Sequence, residues 1–511
     1  MFLFWRTVII ALVFASTVST THGTTYYLSP SGSDTNQGTS TTTAWKTTSA
    51  ASRTAFRAGD QLLFEGGHTY RGRLELGGDD AGLPDAPIVV GSYGKGRATI
   101  DGGDGSGLIV DGSSWITVRD LNVVGSGRKT GNDQGIGIHL AKGRHLRVDQ
   151  AETQGFQKAG ILIDGCSDVR ITRAYAHDNG FAGICADGGR SEDIYVGRCR
   201  AINNPGDPTN LKNHSGNGIV LFNVSRATIE YCEAAENGWD MPRTGNGPVG
   251  IWCASNADRV LIQFCISHHN KSPGLDGGGF DFDGGVTNSI MQYNYSHHNK
   301  SWGYLLYDYG SMWPFRNNTI RYCISEDDGD AGIGVGVNET APNTFSDCEI
   351  YGNTIRSTAE TPCVSLFQGN PKDFHFRNNL FLSETGPQVR GASHALFEGN
   401  CYWGKGGEFK VDDYSSLNAW SAATGQETID GKIVGVHLDP RFGFEGSGGK
   451  RLTDPEQLHS LTDYRLRPDS PLIDKGVDLS TRLSGVPATR DFFGRRVPLG
   501  AGYDIGVSES P

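Results

Sequence analysis

The segment RVLIQFCISHHNK (Arg259–Lys271) returns 29 residues later as NSIMQYNYSHHNK (Asn288–Lys300), and FRNNTIRYCISEDDGD (Phe315–Asp330) continues the series at the same offset. Upstream, ATIEYCEAAENG, EDIYVGRCRAINN, SDVRITRAYAHDNG and HLRVDQAETQG fit the same frame. Downstream, CEIYGNTIRS, DFHFRNNLFLS and HALFEGNCYW follow it. A chain that repeats every 21 to 33 residues, roughly, stacks its repeats so that each buries its apolar face on the next. Each unit holds three short apolar runs parted by Gly, Asn or Asp, and none carries a helical period of 3.6. Three strands per unit predict an all-β fold, a right-handed parallel β-helix of roughly ten coils. A leucine-rich repeat is disfavoured, because its leucine framework is absent. The solenoid is expected over residues 88–403, with an N-terminal cap at 24–87 and an extension at 404–511 that packs back on the stack.

Two columns follow from the alignment. The first reads Ala151, Ala174, Cys199, Cys232, Cys265, Asn294, Cys323, Asn353, Asn379 and Asn400. Asparagines stacked in one slot can hydrogen-bond along the coil axis, and small thiols can fill the same slot. Cysteines that alternate with asparagine are therefore expected as buried thiols, although ten cysteines in an exported chain otherwise suggest disulfides. No zinc-type spacing occurs among them. The second column is a strand that opens on glycine: Gly160, Gly183, Gly218, Gly250, Gly279, Gly303 and Gly332. Alternation along it turns Ile161, Ile184, Ile219, Ile251, Phe280, Tyr304 and Ile333 inward. Leu162, Cys185, Val220, Trp252, Asp281, Leu305 and Gly334 then face out.

Composition agrees with this reading. The chain has 72 glycines in 511 residues, about twice the usual share, which suits many turns. Net charge is −12 and no Lys/Arg run occurs, so a nucleic-acid partner is not expected. Residues 1–23 read as a secretory signal peptide, with Arg6 followed by the short apolar run TVIIALVFA. That run is too short for a transmembrane helix, and no later stretch is apolar enough to span a bilayer. A secreted monomer, extracellular or periplasmic, is expected. Sequons stand at Asn213, Asn223, Asn294 and Asn338, and Asn294, on the inward ladder, is not expected to carry glycan.

The start TTYYLSPSGSDTNQGTSTTTAWKT…FRAGDQLLFEGGHTYRG resembles that of many secreted pectate-lyase-like β-helix proteins, and the ending SPLIDKG…DFFGRRVPLGAGYDIG is similar to their tail. The resemblance spans nearly the whole mature chain. It implies a carbohydrate-active β-helix, in a superfamily that holds polysaccharide lyases, glycoside hydrolases and non-enzymatic adhesins alike.

The longest insertions, at residues 203–217, 237–249 and 267–278, bracket LDGGGFDFDGG (Leu275–Gly285). Asp281 and Asp283 are expected to face out from one strand, about 6.6 Å apart. Three readings stay open. In the first, a glycoside hydrolase uses Asp281 and Asp283 as acid and base, or one of them with Asp308 or Glu326. Their spacing is nearer the inverting range, and no cofactor is required. Trp252, Trp239, Trp302 and Tyr307 would meet the sugar rings. In the second, a lyase holds Ca²⁺ on Asp276, Asp281, Asp283 and Asp308, with Lys300, His298 or Tyr307 as base. Pectate lyases of one such family carry paired aspartates before a Gly-Phe-Asp strand. Here Gly277 and Gly278 stand in those places. In the third, the protein binds a polysaccharide or oligosaccharide without cleaving it. The repeated histidines, His268, His269, His297 and His298, read as a stacking device.

Overall fold

The structure, a computed structural model, describes residues 23–131, 135–338, 345–442, 452–483 and 485–511. The expected signal peptide lies outside the described residues apart from its last position. No helix among the described residues is long and apolar enough to cross a membrane.

Three parallel sheets wrap one apolar core as a right-handed parallel β-helix. A cleft sheet of 12 strands runs from Leu74–Leu76 to Val389–Arg390. A 16-stranded sheet begins with Thr25–Leu28. A 13-stranded sheet of mostly three- and four-residue strands runs from Thr69–Arg71 to Cys401–Gly404. The predicted inward column holds in register: Ile161, Ile184, Ile219, Ile251, Phe280, Tyr304 and Ile333 lie side by side across the cleft sheet. All are fully buried.

The short-strand sheet is held at both ends by side-chain ladders. At one end, backbone N–H groups donate to the side chain one coil on: Cys265 to Asn294 (2.9 Å), Cys323 to Asn353 (2.9 Å), Asn353 to Asn379 (3.0 Å) and Asn379 to Asn400 (2.9 Å). Cys199 and Cys232 donate in the same way to the thiols of Cys232 and Cys265 at 3.4 Å. All ten cysteines are free and buried. Five residues further along each coil stands a second ladder that the repeat reading missed: Asn179, Asn204, Asn237, Asn270, Asn299 and Asp328. The residue before each rung is left-handed, for example Tyr231 (φ 53°) and His269 (φ 52°). Such a conformation costs a side chain about 1–2 kcal/mol. The rung that follows offsets it by satisfying backbone groups a turn would otherwise leave bare.

The second ladder also explains the glycine column. A Cβ on Gly250 would lie 2.0 Å from the Ser267 hydroxyl and 2.6 Å from the Asn270 amide. One on Gly279 would meet Ser296 at 2.3 Å and Asn299 at 2.8 Å. Neither glycine has a positive φ. The column is thus glycine for want of room, and most turns on the short-strand sheet use other residues.

The ends are closed as a solenoid requires. Helix Thr48–Ser52 and strand Gln61–Glu65 cover one end. At the other, helix Leu417–Thr424 is capped by Ser416 and by Gly425 in the left-handed region, and it drives Trp420 against Phe397 and Tyr402. The segment beyond docks on the outer face of the short-strand sheet. There Leu461, Tyr464, Leu479 and Phe492 join Tyr295, Tyr322 and Tyr351 in one cluster.

Each ladder ends on a buried carboxyl. Asp328 accepts from Asn299 N and Nδ2, and Glu427 accepts from the Asn400 and Tyr402 side chains. Burial pushes both up to about 7. An unfolded chain releases these protons near pH 4 while the fold keeps them. Their contribution is therefore full below about pH 4 and is lost as pH rises through about 7, so the melting temperature is expected to fall between pH 5 and pH 8. Asp328→Asn, which keeps the rung without the charge, reduces that fall in a pH series of melting curves. Asn353→Ala strands the Cys323 N–H and the Ile320 carbonyl. It is expected to cost about 2–4 kcal/mol in denaturant unfolding, against about 1 kcal/mol for Cys232→Ala, whose thiol bonds are weak.

Candidate active site

Strand Gly278–Phe282 buries Phe280 and Phe282, so Asp281 faces away from the core, between Trp252 and Leu305 of the adjacent coils. The strand ends at Phe282. Asp283 lies in the turn that follows, where its carboxylate accepts from Gly284 N (2.7 Å) and its own N–H donates to the Cys253 carbonyl (3.0 Å). Asp308 closes the next cleft strand, Tyr304–Asp308, and accepts from the N–H groups of Gly310 (3.0 Å) and Ser311 (2.8 Å). Asp276 comes in from the rim loop in a left-handed conformation (φ 58°) and accepts from Gly247 N at 2.8 Å.

These four carboxyl groups act on one another. Burial lifts Asp281 well above the carboxylate range, and Asp283 and Asp276 add to the rise. Asp283 is pushed up to about 8, by burial first and then by Asp276 and Asp308. Burial also raises Asp308. Asp276 is raised by burial too, but Gly247 N–H, Lys300 and Arg243 oppose the shift. Access separates them: Asp281 is 3% and Asp308 0% exposed. Asp276 and Asp283 are half-buried and can meet a ligand. Asp281 Oδ1 and Asp308 Oδ2 are buried without a hydrogen-bond partner. A proton or a cation on those oxygens relieves that cost.

The rim loops are tied together behind the acids. Leu275 N donates to the Gly245 carbonyl, Gly277 N to the Pro248 carbonyl, and Lys300 Nζ to the Gly274 carbonyl. Lys300 thus braces the loop that presents Asp276. The outward row is not an open floor. Leu162, Cys185, Val220 and Trp252 turn from the core as expected, yet they are buried in a second apolar cluster with Ile136, Phe181 and Val249. Trp252 packs edge-on to His214 and Phe222, and its N–H donates to Asn217 Oδ1 at 3.1 Å. It is therefore a packing residue with no free face for a sugar. Trp239 is exposed on the rim, hydrogen-bonded to Asn203 and covered by the Arg128 guanidinium.

Trp302 and Tyr307 do meet, through a residue the sequence reading passed over. Phe367 stacks on Trp302 (centroids 4.7 Å apart) and on Tyr307 (5.8 Å). Gly334 and Gly336 make the space: a Cβ there would lie 2.5 Å from the Trp302 ring and 2.6 Å from the Phe367 ring. The pairing slips by one residue at this point, so Gly336 faces Gln368. Such a bulge re-aims a side chain beside a site. Gln368 accepts from the Tyr307 hydroxyl at 3.2 Å. Tyr309, 42% exposed, adds a further ring near Asp283 and Asp308. Continuing the cleft column one coil past Gly336, to Val364–Gln368, reaches Phe367 from the sequence.

Two sequence-predicted residues lie elsewhere. Glu326 is on the short-strand sheet, 1% exposed, and accepts from the hydroxyls of Tyr295 (2.6 Å) and Tyr464 (2.7 Å) with Arg356 nearby. It anchors the docked tail and is withdrawn from the cleft. His298 is in the turn after the same sheet, stacked on His269 at 5.4 Å. Burial and the neighbouring imidazoles push His297 beside it down to about 2.

A family model described as the right handed beta helix region matches residues 106–240 and 209–381. Among curated proteins, a lacto-N-biosidase of Bifidobacterium longum subsp. longum is 22% identical over 594 aligned positions, covering 88% of this chain and 36% of that protein. The chain thus spans about a third of the length of the curated relative it matches. Among solved structures, the native GH136 lacto-N-biosidase from Eubacterium ramulus matches with a TM-score of 0.51 at 16% identity, over 69% of this chain and 68% of that one. The pectate lyase Pel9A matches over 95% of this chain and 96% of that one, at 18% identity and a TM-score of 0.45. These structural likenesses are likenesses of fold.

Proposed function

We propose that this chain, which belongs to the right-handed beta helix family, is an exported glycoside hydrolase acting on a polysaccharide or oligosaccharide. The observation that carries the reading is the carboxyl cluster. Hydrolysis of a glycosidic bond needs one carboxyl that is protonated at working pH and one that is ionised, both touching substrate. Asp283 meets the first need: it is half-buried and stays protonated up to about 8. For the second we take Asp276: burial and Asp330 raise it, but it is half-buried, holds the Gly247 N–H, and has Lys300 and Arg243 acting to favour its ionised form. Asp283 is the proton donor to the glycosidic oxygen, and Asp276 is the base or nucleophile. Asp281 and Asp308 stand behind them. Burial, then Asp276 and Asp308, raise Asp283, and Asp281 is an acid that burial above all holds toward its protonated form. Trp302, Phe367 and Tyr307 form an aromatic wall on the side of the higher-numbered coils, suited to a sugar face. The name of the curated relative adds support for hydrolysis and makes lacto-N-biosides a first substrate class to try.

A second reading follows from the bare oxygens of Asp281 and Asp308. Together with Asp276 and Asp283 they offer a hard cation an all-oxygen site. The basic groups of the cluster, Lys300 and Arg243, act on Asp276 and not on Asp281 or Asp283, and Lys300 donates to the Gly274 carbonyl, as an ammonium and not as the free amine that an elimination needs for its base. Hydrolysis is favoured for that reason.

A glycan panel containing lacto-N-biosides and uronate polymers, assayed with and without EDTA, separates the readings. New reducing ends that survive EDTA and bring no ultraviolet absorbance are expected. An unsaturated product lost with EDTA would establish the lyase instead, and tight binding without cleavage a lectin-like role. On the substrate found, Asp283→Asn and Asp276→Asn are each expected to lower kcat by about 10²-fold or more. Asp281→Asn should stay within about tenfold of the parent, a neutral side chain replacing a neutral one. A loss as large as that of Asp283→Asn would move the role to Asp281.

The pH–rate profile is expected to be a bell. It rises as Asp276 ionises and falls as Asp283 loses its proton near pH 8. Asp308→Asn removes a charge that raises Asp283, so its falling limb is expected at lower pH than the parent's. A limb that stays in place would separate Asp308 from the donor.

A further inference from the structure

Away from the cleft, four imidazoles meet at one corner of the short-strand sheet. His268 and His297 end the strands Ile266–His268 and Tyr295–His297, pair in register, and stack with centroids 4.7 Å apart and rings 3° from parallel. The next residues, His269 and His298, are left-handed (φ 52° and 53°), which folds their rings back on the strand ends. Nδ1 of His269 thereby lies 2.9 Å from Nδ1 of His268, and Nδ1 of His298 lies 3.2 Å from Nδ1 of His297.

The far nitrogens fix the tautomers. Nε2 of His268 lies 3.2 Å from Glu233 Oε1, and Nε2 of His297 lies 3.0 Å from the Leu452 carbonyl. An ionised carboxylate and a carbonyl only accept, so both Nε2 atoms carry hydrogen. A neutral imidazole with hydrogen on Nε2 presents a lone pair at Nδ1. Two parallel rings thus aim lone pairs at one corner, where the ligand atoms of His268, His269 and His297 all lie within 4.8 Å of one another. Glu233 is itself buried and held by Arg200 at 2.7 Å. A histidine whose outer N–H is held by a buried carboxylate is the usual support of a metal-binding imidazole.

We propose that this corner binds one divalent transition-metal ion of the zinc, nickel or copper class through the Nδ1 atoms of His268, His269 and His297, with His298 as a fourth nitrogen. All-imidazole ligation selects such ions over Ca²⁺ and Mg²⁺, which take oxygen. Tetrahedral nitrogens at about 2.0–2.1 Å from zinc stand about 3.4 Å apart. The pairs within each coil are already near that distance, and the pairs between coils close by leaning the rings together. The ion clips two coils and, through the Leu452 carbonyl on His297, the docked C-terminal segment. The inference is independent of the reaction proposed for the cleft.

The test is calorimetric titration of the full chain, stripped with EDTA and dialysed, with ZnCl₂ and separately with CaCl₂. One Zn²⁺ per chain at micromolar Kd or tighter is expected, with a higher melting temperature in excess zinc. His269→Asn with His298→Asn suits the left-handed turn and keeps the stripped protein's melting curve, while zinc affinity drops at least 100-fold. Glu233→Gln weakens it about 10–100-fold. Asp283→Asn leaves zinc binding unchanged, which separates the corner from the cleft. A folded parent that binds none of Zn²⁺, Ni²⁺ or Cu²⁺, or a double variant that binds as the parent does, overturns the proposal.

Discussion

Everything in this molecule hangs on a side-chain amide that serves as backbone. Each asparagine rung accepts from the N–H before it and donates to a carbonyl one coil below. Asn353, for example, takes the Cys323 N–H and gives to the Ile320 carbonyl and to Asn379. A parallel coil must turn three times per repeat, and every turn leaves backbone groups that no strand satisfies. Two ladders, five residues apart, meet that demand at both ends of the short-strand sheet. They fix the pitch of the stack, and the cleft sheet inherits its register from them. Glycine at the head of the cleft strands from Gly160 to Gly303 is the steric consequence, because the second ladder fills the corner that a Cβ would need.

A register this rigid makes a cleft with unusual electrostatics. Asp281 cannot swing toward solvent, since Phe280 and Phe282 on either side are locked in the core. The rim loops then close over much of the outward row and remove water from it. Carboxyl groups gathered under such cover cannot all ionise, because the cost of burial and mutual repulsion both favour the proton. The scaffold thus sets the division of labour. Asp281, sealed in, is pushed furthest toward its neutral form, whereas the half-buried Asp276 is the member of the cluster on which the cations Lys300 and Arg243 oppose that push.

The sequence disclosed what is periodic and hid what is covered. The cleft column and the first ladder were legible because period-2 alternation and the 29-residue offset carry the same message in every coil. The second ladder is equally present, five residues after the first-ladder positions from Ala174 to Cys323, in HDN, INN, AEN and HHN. Its neighbours vary from coil to coil, and that variation hides the column. Trp252, outward beside the aspartates, suits a sugar platform and packing under a loop equally well on sequence alone, because facing away from the core is not the same as facing solvent. Burial under the rim loops decides between them, and no sequence pattern encodes it. Glu326 failed differently. It is in phase with the repeat but on another sheet, and only the docked Tyr464, well over a hundred residues on, explains its carboxylate.

The same stacking logic accounts for where chemistry collects. A solenoid repeats each side chain along a column, so a residue type that is harmless once becomes a cluster when two coils share it. At the short-strand corner the repeat puts His268 on His297 and His269 on His298. In the cleft it does the opposite: Asp281 has Trp252 and Leu305 as its register neighbours, and the other acids arrive from a loop, a turn and the next strand end. Columns therefore build structure and invite bridging between coils, whereas breaks in a column, where loops lengthen and Gly334 and Gly336 leave room for Trp302 and Phe367, make a recess that a ligand can enter. A catalytic site in such a fold is expected where the repeat is least faithful, and the Asp276–Asp308 region is where this chain departs furthest from its own pattern.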